Sequence, residues 1–128
     1  MAKYGFTIQG TLPGLNDYLK EERKFRRGHS CGNDMKKQCQ KLIADEIRLQ
    51  LKRLHIEKQI YIRYRFYEPN KRRDLDNIAG VAHKFIQDAM VKTGLIDNDG
   101  WGNITGFSDS FFLDRHNPRI EVEIVEVE

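Results

Sequence analysis

The sequence is poor in cysteine, in proline and in long apolar runs. Its two cysteines, Cys31 and Cys39, have neither a CxxC spacing nor a paired HxxxH. This argues against a disulfide scaffold and favours free thiols over zinc ligands. No apolar run approaches the roughly 20 residues needed to cross a bilayer. "MAKYGFTIQG" also lacks the charged start, apolar middle and cleavage site of a signal peptide. A cytosolic protein with no membrane partner is therefore expected. Repeats, low-complexity tracts and linkers are missing as well, which predicts one domain over 1–128, large enough to bury roughly two-thirds of its unfolded surface. No glycine-rich nucleotide loop is present, so no nucleotide cofactor is expected. The net charge of +3 is too small by itself to imply a polyanionic partner.

The distribution of charge says more than its sum. "KEERKFRRGH" places Lys20, Arg23, Lys24, Arg26 and Arg27 around two glutamates, and "NKRRD" adds Lys71, Arg72 and Arg73. The C-terminal "IEVEIVEVE" is acidic. A binding face at one end and a solvated edge at the other would account for this.

Periodicity gives alternating strands and helices. "YGFTIQG" alternates around Phe6 and Ile8 and is closed by "LPG", a strand and a turn. From about Asn33, a candidate N-cap, the residues Met35, Cys39, Leu42, Ile43, Ile47, Leu51 and Leu54 recur at helical spacing as far as about His55. "QIYIRYRFYEP" puts Ile60, Ile62, Tyr64 and Phe66 on one face of a strand and Tyr61, Arg63, Arg65 and Tyr67 on the other. The second face is aromatic and cationic, suited either to nucleic acid or to cover by a helix or a second subunit. Ile78, Val81, Ala82, Phe85, Ala89 and Met90 stripe a second helix that Gly94 stops. "NITGFSDSFFLD" and "RIEVEIVEV" read as two closing strands joined through "RHNP" as a hairpin, with a bulge or fraying where the alternation slips at Ile124 and Val125. The order β-α-β-α-β-β predicts an α/β (α+β) domain, a mixed sheet with two main helices on one face.

Between the cations and the second helix lies "RRDLDN". In an extended segment Asp74 and Asp76 share a face, with Leu75 turned to the core. Two carboxylates held together repel unless a cation sits between them, and oxygen pairs of this kind suit Mg²⁺. The alternative is that Asp76 or Asn77 caps the helix and Asp74 pairs with Arg72 or Arg73. Asp97 and Asp99, in the turn after the helix, offer a third carboxylate, although "DNDG" is also what a tight bend uses.

The stretch "FYEPNKRRDLDNIAGVAHKFIQDAMVKTGLIDNDGW" resembles the core of the RusA family, homodimeric Mg²⁺-dependent endonucleases that resolve Holliday junctions in phage and bacterial DNA. "LPGLNDY" is similar to the family's early proline, asparagine and aromatic motif. The resemblance implies a RusA-like fold, with Asp74 and Asp76 as paired metal ligands and Asp99 as the third, Asp97 being its substitute. Where members commonly carry two adjacent acids in that turn, this chain has Asn98 before Asp99. The family's essential lysine would fall one helical turn after DxDN, at Gly80, and its counterpart is Lys84. In a continuous helix four extra residues add about 6 Å and about 40° of rotation, which keeps Lys84 on the same face. A surface pair with Asp88 is its other reading.

The implied chemistry is Mg²⁺-assisted hydrolysis of a phosphodiester, with Lys84 countering charge on the phosphate and the basic residues holding DNA against the acids. Paired symmetric nicks in a four-way junction suit a homodimer. The expected setting is DNA recombination and repair, in a phage or prophage-derived protein. A catalytically silent DNA-binding or phage-assembly module, or a nuclease of broader branched-DNA preference, would share the fold.

Overall fold

A computed structural model describes residues 2–26 and 28–128. The chain forms β1 (Lys3–Gln9), α1 (Leu15–Glu22), the two-residue strands β2 (Phe25–Arg26) and β3 (His29–Ser30), and α2 (Cys31–Leu51). It continues through β4 (Ile60–Glu68), α3 (Leu75–Ala79), α4 (Ala82–Lys92), β5 (Ile104–Leu113) and β6 (Arg119–Glu126). The main sheet has the order β1-β6-β4-β5. β6 runs antiparallel to both of its neighbours, and β4 is parallel to β5. A parallel neighbour requires a crossover, which α3 and α4 supply. The mixed α/β sheet read from the sequence is therefore the fold.

One face of the sheet presents Phe6, Ile8, Ile62, Tyr64, Phe66, Ile120, Val122 and Ile124. Against it pack Ile43, Ala44 and Ile47 of α2 and Ala82, Phe85, Ile86, Ala89 and Met90 of α4, in one core cluster. The predicted stripe of the second helix is buried throughout, and Gly94 ends it at φ 77° with its N–H on the Val91 carbonyl. The first long helix is offset from its reading. Ser30 is its N-cap, with its hydroxyl accepting from the Gly32 N–H, and Lys52 stops it at φ 60°. Leu42, expected on the core stripe, is half exposed, and Ala44 takes the inward place.

Three further expectations are corrected, and one helix is added to the two predicted. "LNDYLKEE" forms α1, which buries no residue fully and touches the core through Leu15 and Tyr18. The second helix is two helices, broken at Gly80 and Val81. β5 and β6 are not a hairpin, because β4 lies between them and the 114–118 link crosses its end. That link is tied by Asp114, whose N–H donates to the Glu68 carbonyl and whose carboxylate accepts from the His116 and Asn117 N–H groups. Finally, β6 keeps its register through Ile124 and Val125 without a bulge, and Val125 is buried on the opposite face. The irregularity lies instead between Ile60 and Tyr61 on β4, opposite β5.

That opposite face carries Tyr61, Arg63, Arg65 and Tyr67, none of them buried. The acidic C-terminal strand is not a solvated edge but the inner neighbour of this arginine strand. Arg63 and Arg65 both meet Glu123, at 2.9 and 3.8 Å, and Arg119 meets Glu121 at 2.9 Å while lying 3.8 Å over the Tyr67 ring. The hydrogen bond from Arg63 holds the Glu123 carboxyl below its ordinary range. The face is thus charge-balanced, which removes the electrostatic reason for laying DNA on it.

Candidate active site

The helix beginning at Leu75 changes the geometry of the DLD run. Asp74 is the N-cap of α3 in extended conformation, at φ −71° and ψ 158°, and Asp76 lies in the first helical turn. A period of 3.6 turns residues three and four beyond Leu75 inward, so Ile78 and Ala79 are buried while Leu75 is 55% exposed. Leu75 is therefore not the core residue an extended run would make it. Both carboxylates are exposed, and neither forms a hydrogen bond or ion pair with any other described side chain. Asp74 does not pair with Arg72 or Arg73. Nor does Asn77 cap the helix: its carbonyl oxygen accepts from the Asn16 N–H at 2.8 Å, which fastens α1 to α3. Gly14 makes room for it, since a Cβ there would stand 2.6 Å from that same oxygen.

Gly80 has an equally local cause. A Cβ at this position would come within 2.7 Å of the Asp76 carbonyl and 2.9 Å of Leu15 Cβ. The path from DxDN to Lys84 runs through the two-residue break after α3, not along one longer helix. Lys84 therefore sits in the first turn of α4. Its ammonium lies 3.1 Å from Asp88, the expected surface pair, and 3.4 Å from Asp99, a contact the sequence did not suggest. The hydrogen bond to Asp88, reinforced by Asp99, holds Lys84 above the ordinary lysine range. Asp97 is elsewhere, 3.0 Å from His55.

The cations divide into two groups. Arg73 donates through Nε and a terminal nitrogen to both oxygens of Glu68, at 3.0 and 2.9 Å, and through its other nitrogen to the Leu12 carbonyl at 2.9 Å. Glu68 is the one buried charged side chain among the described residues. Arg73 is thus a structural fork, not a free phosphate contact. Lys71 and Arg72 are exposed, and neither side chain has an ion-pair partner among the described residues. Lys20 and Arg23 are exposed on and after α1, Lys24 pairs with Glu21 at 3.1 Å, and β2 contains Arg26. Arg27 lies outside the described residues.

One pair gave no signal in the sequence. His83 Nε2 and Asp109 Oδ1 stand 2.7 Å apart, with the imidazole against the Tyr64 and Phe107 rings. Asp109 is 26 residues from His83, and only the crossover brings them together. Burial raises the Tyr64 phenol well above its ordinary range, and Gln87 donates to its oxygen.

Asp74 lines a cleft of about 360 Å³ at the ends of β4 and β5, with Lys71 and Arg73 on its walls and Leu75, Phe111 and Phe112 as apolar surface. Ligands of open α/β sheets bind outside the carboxyl ends of parallel strands, which is where this cleft lies. Among the described residues no three Asp, Glu, His or Cys side chains stand together as metal ligands. The expected three-carboxylate cluster is therefore not assembled. Asp74 and Asp76 alone nevertheless fit Mg²⁺, which is commonly bound by one or two carboxylates, with waters and substrate phosphates completing its shell.

No helix among the described residues is long and apolar enough to cross a membrane. A search of curated proteins found no match. The family model described as Endodeoxyribonuclease RusA matches residues 20–125 of the 128. That span takes in the DLDN run, both helices of the crossover and the turn holding Asp99, so the chain belongs to the RusA endodeoxyribonuclease family, a family of nucleases.

Proposed function

We propose that this protein is a Mg²⁺-dependent, structure-selective endodeoxyribonuclease that resolves four-way DNA junctions by paired symmetric nicks. The observation that carries the reading is the pair Asp74 and Asp76, exposed and with no side-chain partner among the described residues in a chain of the RusA family, beside the exposed cations Lys71 and Arg72. A silent binding module would gain nothing from two unneutralised carboxylates next to a polyanion. Asp74 and Asp76 would hold Mg²⁺, which would supply charge neutralisation at the phosphate and make a water easier to deprotonate.

The chain's own residues do the rest. Lys71 and Arg72 hold the DNA backbone and offset repulsion from the acids. Lys84 places a positive charge where charge grows on the phosphate, and Asp99 orients that ammonium in place of serving as a third ligand. In the reaction the oxygen of water bonds to phosphorus, the bond to the 3′-oxygen breaks, and the departing oxygen takes up a proton. The products are a 5′-phosphate and a 3′-hydroxyl.

Two symmetric cuts call for two copies of this site, hence a homodimer. The protein is of phage or prophage origin and acts as one domain over 1–128, in the cytoplasm, in DNA recombination and repair. Mapping the nicks on a junction labelled in each strand in turn tests this reading. Cuts at symmetry-related positions in two opposed strands are expected, and scattered or single-strand cuts would favour a broader branched-DNA nuclease.

A further inference from the structure

Trp101 is 96% exposed, far more than any other large apolar side chain among the described residues. Burying an aromatic ring releases more water-exposed apolar surface than almost any other side chain, so a bare indole is an unusual thing to hold out on a fixed turn. The turn is fixed. The Gly100 carbonyl accepts from the N–H groups of Asn103 and Ile104 at 3.1 and 3.0 Å, and the Asn103 carbonyl accepts from the Ile60 N–H at 2.8 Å. The Trp101 carbonyl itself accepts from the Gln59 side chain at 3.4 Å.

Glycines flank the indole on both sides, and the backbone requires neither. Gly100 and Gly102 are not in the left-handed region. A Cβ at Gly102 would meet nothing described within 4 Å, and one at Gly100 would meet only Asn98 Oδ1, at 3.8 Å. What the two glycines do is withhold side chains from the neighbourhood of the ring, so a planar partner can reach it. Two residues earlier stands Asp99, the partner of Lys84.

We infer that Trp101 stacks on a base left unstacked at the branch point of the DNA, and that this contact distinguishes a junction from an unbranched duplex. The inference rests on the junction-nuclease reading above. A continuous duplex offers base faces only at its ends, whereas a branch interrupts stacking within the body of the DNA. Stacking on an aromatic ring is indifferent to base identity, so it supplies structure selectivity without sequence readout.

Trp101 is the sole tryptophan, so its emission reports this contact alone. The full chain would be titrated, without divalent metal, with a four-way junction and with linear duplex of the same arm sequences at twice the molar amount, so that both present the same number of blunt ends. Emission should be quenched by the junction and little changed by the duplex. Trp101→Ala should bind the junction about tenfold more weakly and the duplex as wild type does, with an unchanged melting temperature. Unquenched emission, or a Trp101→Ala protein that still prefers the junction as strongly, would overturn the inference. So would emission of the free protein that shifts to the red on dilution, since a second copy would then be what covers the indole. If wild type cuts junctions in Mg²⁺ while Trp101→Ala discriminates normally, only the role of Trp101 fails. If wild type neither prefers nor cuts a junction, the junction-nuclease reading falls and this inference with it.

Discussion

Asp76→Asn should lower single-turnover nicking of a four-way junction in Mg²⁺ by about two to three orders of magnitude, while junction binding without metal stays close to wild type. The substitution keeps the size of the side chain and removes the charge that a hard cation needs. Fold loss is not expected to confuse the result, because the Asp76 side chain is exposed and bonded to no other described side chain. The destabilisation should not exceed the roughly 0.3–1 kcal/mol typical of an acid in the first turn of a helix. Asp74→Asn should behave alike, and asparagine remains a good N-cap. Single-turnover rates at saturating enzyme, measured beside thermal melting, separate the outcomes. Wild-type cleavage by Asp76→Asn would remove the assigned site. A joint loss of fold and binding would show that the aspartate serves the helix.

Arg73→Ala should destabilise the protein by about 3–5 kcal/mol, the usual cost of stranding a buried charge. Glu68 is 5% exposed, and both its oxygens take hydrogen bonds from Arg73. Truncating the arginine also frees the Leu12 carbonyl, which joins the end of β4 to the segment before α1. Urea unfolding measures the loss. Replacing both members with methionine should recover much of it, because the double change leaves no unpaired charge. Arg72→Ala should barely move the unfolding midpoint and should instead lower the salt dependence of DNA binding by about one unit for each phosphate no longer neutralised. Equal stability of the two alanine variants would contradict the division of labour between neighbouring arginines.

This division marks the limit of what the sequence could say about the site. "NKRRD" reads as a run of equivalent cations, and the sign that Arg73 differs is Glu68, five residues earlier at the end of a strand. Whether such a glutamate is buried depends on what covers the strand end, which is a tertiary matter. The acids were legible because DxDN followed by an amphipathic stripe is a local pattern. Their geometry was not, because helix and extended chain predict opposite directions for Leu75.

A similar line runs through the fold. β1, β4, α2 and α4 show their periods plainly, since each buries one face against the same core. α1 has almost no inward stripe and left little trace. The break after α3 coincides with Gly80, where Leu15, 65 positions away in the chain, comes too close for a side chain, and a lone glycine gives no warning of it. The placing of β5 beside β4 was equally hidden, because a short turn-rich link such as "RHNP" serves a hairpin or a step across one strand equally well.

The central claim is that the paired aspartates make this member of a nuclease family a metal-dependent enzyme selective for branched DNA. Cleavage of a labelled four-way junction beside a linear duplex of the same sequence, with Mg²⁺ and with the metal chelated, tests it most directly. Nicking of the junction in Mg²⁺, with the duplex intact and no product under chelation, is the predicted result. Cleavage that persists without metal, equal cutting of the duplex, or a junction that is bound but never cut would contradict the account.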